Sequence, residues 1–163
     1  MQTATDADAD LLQMAAGVFA GERDPWANAA NAAALVFETL PDLNWAGFYF
    51  LRGGELVVGP FQGRAACVRI PLGAGVCGTA AERRETVIVP DVHAFAGHIP
   101  CDASSNSELV VPLLRGGRLI GVIDLDSPSI GRFGPSDATL VEALAARLVA
   151  ACDWRLAGID GFG

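Results

Sequence analysis

The spacing of apolar residues changes twice along this chain, and the two changes restrict what it can fold into. Leu11, Leu12, Met14, Ala15, Val18 and Phe19 recur at helical spacing up to Gly21, and a second helical stretch runs from Pro25 through an Ala-rich segment to Leu40, with Pro41 as its stop. From Asn44 the period drops to two residues: Trp45, Gly47 and Tyr49 fall on one face of a strand, and Ala46, Phe48 and Phe50 on the other. The helical period returns after Ser136, read as the cap of a closing helix whose stripe is Leu140, Val141, Leu144, Leu148 and Ala151. Between the helices, Gly53-Gly54 and Gly116-Gly117 each lie between a pair of apolar runs and read as hairpin turns.

Strands are predicted over 44–50, 55–61, 67–71, 86–89, 108–114 and 118–126, with a glycine-rich turn at 73–78 leading into a short helix over 79–84. Helices flanking an antiparallel sheet make the class α+β. One domain over 1–163 is expected, with N-terminal helices over 8–40, sheet and loop over 44–128, and a C-terminal helix over 136–156. Residues 158–163 read as a frayed tail. Residues 91–106 carry both His, one Cys and no sustained period; a loop that long between strands is expected to be functional.

A formal charge of −8 argues against a nucleic-acid or anionic-membrane partner. All 11 basic residues are Arg, so lysine chemistry is excluded and Cys, His and carboxylates must carry any reaction. No run reaches the length of a membrane-spanning helix, and the acidic start is unlike a secretory signal, so the cytoplasm is the expected compartment. Disulfides of the structural kind are then not expected, leaving metal binding, redox chemistry or burial to explain four cysteines.

Cys67, Cys77, Cys101 and Cys152 are separated by 9, 23 and 50 residues, which matches no common zinc spacing, so no metal is expected. Cys101 lies in the long loop three residues after His98; Cys67 is placed at the start of a strand, Cys77 in the glycine-rich turn, and Cys152 among alanines as a core residue. Inert burial and reactivity both remain open for the first three. On the last strand Gly121, Ile123 and Leu125 share one face, and Ile120, Val122, Asp124 and Asp126 the other. Asp124 and Asp126 are either a solvated strand end or a pair that wants a cation or a proton, with Glu108 within reach across the hairpin. Trp45 and Tyr49 read as core aromatics or as a ligand wall.

The segments Gly59-Pro-Phe-Gln-Gly63, Ala66-Cys-Val-Arg-Ile-Pro71, Gly75-Val-Cys-Gly78, Asp91-Val-His-Ala-Phe95, Gly97-His-Ile99, Cys101-Asp102, Ser105-Asn-Ser-Glu108 and Ile123-Asp-Leu-Asp-Ser-Pro128 together resemble the free methionine-R-sulfoxide reductases, small proteins of the GAF fold. The resemblance runs in matching order from about Asn44 to Ser129. It implies a six-stranded antiparallel sheet with helices on both faces. It implies reduction of free methionine sulfoxide, with Cys101 as nucleophile, Cys67 as resolving thiol and Cys77 as an auxiliary cysteine.

Glu108, Asp124 and Asp126 match the family's carboxylates around the substrate, and Trp45 and Tyr49 its pocket aromatics. Asp126 is the expected proton donor, with Glu108 the alternative. No cofactor, a thioredoxin-like reductant and a homodimer paired through flanking helices, first sought on the Asn28 to Leu35 face, are also implied. Pro100 stands where the family commonly has Ala, which removes a main-chain donor, and Ala96 replaces a frequent proline. The competing classes are a ligand-sensing GAF module, for whose usual output domain the chain has no room, and a thiol redox sensor.

Overall fold

The computed structural model describes residues 4–162. Both glycine pairs make two-residue turns with positive φ throughout, 61° and 78° at Gly53-Gly54 and 56° and 78° at Gly116-Gly117, a geometry glycine adopts without steric cost and whose twist suits a hairpin. The first joins β1 (Trp45–Arg52) to β2 (Glu55–Gly63), and the second joins β5 (Ser107–Arg115) to β6 (Arg118–Ser127). β1 then pairs with β6, and the short strands β3 (Arg69–Pro71) and β4 (Val87–Val89) close the two edges. The result is a six-stranded sheet in the order β3-β2-β1-β6-β5-β4 with every neighbour antiparallel.

The alternation expected for β1 holds, and both of its faces are buried because helices cover both sides of the sheet. Ala46, Phe48 and Phe50 pack with α1 (Ala4–Phe19), α2 (Pro25–Thr39) and α4 (Pro135–Ala151). Trp45 and Tyr49 face the smaller layer under α3 (Gly75–Arg83). Pro25 at the first position and the Asp24 carboxylate, which accepts from the N–H groups of Trp26 and Ala27 at 2.8 and 3.0 Å, start α2 where the sequence places it. Among the described residues no helix is long and apolar enough to cross a membrane.

Several expectations need correction. α1 begins at Ala4, ahead of residue 8, consistent with the helix propensity of its alanines. α4 is capped at Gly134 and not Ser136: Pro135 opens the helix and the Asp137 carboxylate reaches back to the Gly134 N–H at 2.8 Å. It also stops at Ala151 instead of running to 156. Asp153 caps a single 3-10 turn over Trp154–Ala157, which buries Trp154 completely.

Ile120 packs in the layer of Ile123, not of Val122, because a bulge pairs Leu113 with Gly121 but Leu114 with Leu119, reversing the alternation at that point. The C-terminal residues are pinned and not frayed. Asp160 accepts from the Gly53 and Gly54 N–H groups at 3.1 and 2.9 Å, and Arg118 donates to the Gly161 carbonyl at 2.7 Å; Gly163 lies outside the described residues. On α2, Asn28, Ala29, Ala32 and Ala33 are fully buried within the chain, so the face singled out for pairing two copies is largely occupied by the chain's own core.

Candidate active site

The sheet register decides what sequence alone leaves open. Asp126 lies opposite Trp45 on one side and Glu108 on the other, while Asp124 lies opposite Gly47 and Val110. Three carboxyl groups are thereby gathered on the α3 side of the sheet, lining one cavity with Trp45, Tyr49 and Cys77. Trp45 stacks on Tyr49 and on Phe61, with ring centroids 5.7 and 5.2 Å away, and its indole N–H donates to the Arg64 carbonyl at 3.1 Å. Gly47 gives that ring its room, since a Cβ there would stand 2.8 Å from the Trp45 ring and 2.3 Å from Phe61 Cβ.

Cys77 sits in the first turns of α3, not in a loop, and its thiol donates to Glu108 Oε1 at 3.7 Å. α3 can approach the sheet this closely because residue 78 is glycine: a Cβ would meet the Pro71 carbonyl oxygen at 2.4 Å. Cys67 lies before β3, outside any strand. Its sulfur is bonded to that of Cys101, with the two Cα atoms 5.3 Å apart. This is the pair that the family resemblance implies for nucleophile and resolving thiol, and Cys101 lines the same cavity as the three carboxyls. Cys152 is buried on the far side of the sheet, where its sulfur accepts from Asn28 Nδ2 at 3.4 Å.

The loop over 91–106 is held on both sides of Cys101. Ile99 packs on Gly75, where an added Cβ would lie 3.2 Å from Ile99 Cγ1. Downstream, Asn44 Nδ2 donates to Ser104 Oγ and Ser105 Oγ at 3.0 Å each and to Asp102 Oδ2 at 3.4 Å. Asn44 and Ile99 escape sequence reasoning; the one legible signal is a polar side chain at the point where the period switches to 2. His98, three residues before Cys101 in the loop, places Nε2 3.9 Å from Glu108 Oε2. His93 instead faces outward and pairs with Asn106 Oδ1 at 2.8 Å.

Crowding acids into so little solvent raises their affinity for protons. Burial, followed by the Asp126 charge, pushes the Glu108 carboxyl up to about 8. Burial and then Glu108 raise Asp124 well above the usual carboxylate range, and burial, Asp124 and Asp102 do the same to Asp126. Burial and the surrounding carboxylates push the Cys77 thiol up, and burial followed by Asp124 raises the Tyr49 phenol. Burial, then His93, lowers His98. Oδ1 of Asp124 and Oδ1 of Asp126 are buried and accept no hydrogen bond. Two acceptors with nothing to accept, in a cluster that resists ionisation, are chemically matched to a cation carrying N–H donors. Cys77 Sγ and a carboxylate oxygen each from Glu108 and Asp124 also lie within 4.8 Å of one another, close enough to share a metal ion.

A pH dependence of stability follows. Glu108 rises from an ordinary value of 4.5 to about 8 on folding, so between these values the folded chain holds a proton that the unfolded chain has lost. Its contribution is full below about pH 4.5 and is lost as pH rises through about 8. The urea midpoint is expected to fall across that window, and Glu108→Gln to flatten the fall; a midpoint that rises with pH, or a slope unchanged in the variant, contradicts it.

The GAF domain family profile matches residues 27–153. The chain is 51% identical over 144 residues to the free methionine-R-sulfoxide reductase of Escherichia coli, covering 88% of this chain and 87% of that protein. The chain belongs to this family of GAF-fold reductases. The enzyme of the same name from Saccharomyces cerevisiae is 41% identical over 150 residues, covering 87% of this chain and 83% of that one. The free methionine-R-sulfoxide reductase of Neisseria meningitidis, solved in complex with its substrate, superposes with a TM-score of 0.86 at 43% identity over 93% of each chain. Family membership agrees with the six-stranded α+β architecture and with the bonded pair Cys67 and Cys101.

Proposed function

We propose that this chain reduces free methionine-R-sulfoxide to methionine. The observation that carries the reading is the Cys67–Cys101 disulfide standing over a cavity floored by Glu108, Asp124 and Asp126. In the reduced chain Cys101 attacks the sulfoxide sulfur. Asp126 protonates the departing oxygen, a role that a carboxyl held above its usual range can fill at neutral pH. The S–O bond breaks as the oxygen moves to Cys101 Sγ to form a sulfenic acid, and the sulfur–sulfur bond made in the attack breaks with its electron pair on methionine, which leaves. Cys67 then condenses with the sulfenic acid, releasing water and forming the disulfide.

Asp124 and Glu108 hold the substrate ammonium, and Trp45 packs against the S-methyl group with Tyr49 beside it. Cys77 is auxiliary. An external dithiol, a thioredoxin-like protein in the cytoplasm, restores both thiols by exchange. The same reading includes two copies paired through the flanking helices, where Ala27, Ala30, Asn31, Phe37 and Glu38 are the exposed residues of α2 that remain for it.

Incubation with a dithiol reductant and either the R or the S epimer of free methionine sulfoxide tests this reading. Many methionines per chain are expected from the R epimer and none beyond background from the S epimer. A sensing module or a stoichiometric redox sensor would yield at most one methionine per chain.

A further inference from the structure

Nothing in the catalytic sequence above uses the Cys77 sulfur, although it is buried at 4% exposure against two of the three carboxyls. Its surroundings have the form of a donor set. Cys77 projects from α3, Glu108 from β5 and Asp124 from β6, so the spacing of the three is set by the sheet register and by the close seat of α3, not by a loop. Sγ of Cys77 lies 3.7 Å from Glu108 Oε1, and one donor atom from each residue falls within 4.8 Å of the other two. Around a tetrahedral ion with metal–sulfur and metal–oxygen bonds of about 2.3 and 2.1 Å, neighbouring donors stand about 3.4–3.6 Å apart. Small side-chain adjustments bring this trio to that spacing.

Within the trio Asp124, which lines the cavity, is 5% exposed, and its buried Oδ1 has no hydrogen-bond partner. We infer that Cys77, Glu108 and Asp124 form an inhibitory site for a thiophilic divalent cation of the zinc type, which occupies the place of the substrate ammonium. The cavity supplies the fourth, open coordination position. One sulfur with two hard oxygens selects zinc or cobalt over magnesium and calcium, which take oxygen ligands alone. Binding converts the Cys77 thiol to a metal thiolate and releases to solvent its proton and those that the Glu108 and Asp124 carboxyls hold. Spacing along the sequence gives no hint of this set, because its members come from three separate elements.

Cys77 is outside the disulfide, so the site persists in the oxidised chain, where Cys67 and Cys101 cannot bind metal as thiolates and Cys152 is buried across the sheet. Cobalt(II) added to the full-length oxidised chain is therefore a direct probe, and its readout is independent of turnover and of the reductase reading. One ion per chain is expected, with the near-ultraviolet charge-transfer absorption of a cobalt thiolate. Cys77→Ser should abolish that absorption, and Asp124→Asn should weaken cobalt binding about tenfold or more with the near-ultraviolet circular dichroism of the metal-free chain unchanged. No charge-transfer band in the parent chain, or a band that survives Cys77→Ser, overturns the inference.

Discussion

Cys101→Ser is expected to lower the rate of methionine formation by about 10³-fold or more, because a serine hydroxyl neither ionises near neutral pH nor forms the oxidised intermediate. The substitution keeps the size of the side chain, and the loop remains anchored by Ile99 and by the Asn44 hydrogen bonds on either side, so the fold should be retained. Cys67→Ser is expected to behave differently: it leaves the first oxygen transfer intact and removes the thiol that resolves it, so one methionine forms per chain before the rate collapses. Quench-flow measurement of methionine against enzyme concentration separates the two. A Cys101→Ser chain that retains the parent rate would place the chemistry on another sulfur.

The second large effect concerns the substrate's charge. Acetylating the amino group of methionine sulfoxide, or enclosing the residue in a peptide, removes the cation while leaving the sulfoxide untouched. The buried oxygen Asp124 Oδ1 would then stay without a partner beneath the ligand, a cost of about 2–5 kcal/mol by analogy with truncated buried charge pairs. At about 1.4 kcal/mol per tenfold, kcat/KM for the acetylated compound should fall by roughly 30- to 4,000-fold. Asp124→Asn should narrow that discrimination by slowing the free amino acid more than the acetylated one. Equal kcat/KM values for the two compounds in the parent chain would show that the acids do not read the ammonium.

Much of this site is legible in the residues because period and turn chemistry act locally. The alternation along β1 puts Trp45 and Tyr49 on one face, and the Gly116-Gly117 turn sets the hairpin that carries Glu108, Asp124 and Asp126. What escapes is set by contacts distant in sequence. Glu108 faces Asp126 only through the β5 and β6 register. The bulge that sends Ile120 to the opposite layer depends on the same pairing.

Cys77 reads as a turn residue because three glycines surround it, whereas Gly78 serves to let a helix touch the Pro71 carbonyl. The tail reads as frayed because Gly158, Gly161 and Gly163 break any period, yet Asp160 supplies the acceptors that the first hairpin turn needs. Even the disulfide is hidden from spacing, since 34 residues separate Cys67 from Cys101 and the loop must fold back to join them.

Fully reduced enzyme mixed with one equivalent of free methionine-R-sulfoxide and no reductant, then alkylated and mapped by mass spectrometry, addresses the cysteine chemistry without intermediaries. One methionine per chain should appear together with loss of two thiols as a Cys67–Cys101 disulfide, leaving Cys77 and Cys152 alkylated. Methionine released with both of the bonded sulfurs still alkylated, or a disulfide that includes Cys77 or Cys152, would contradict it.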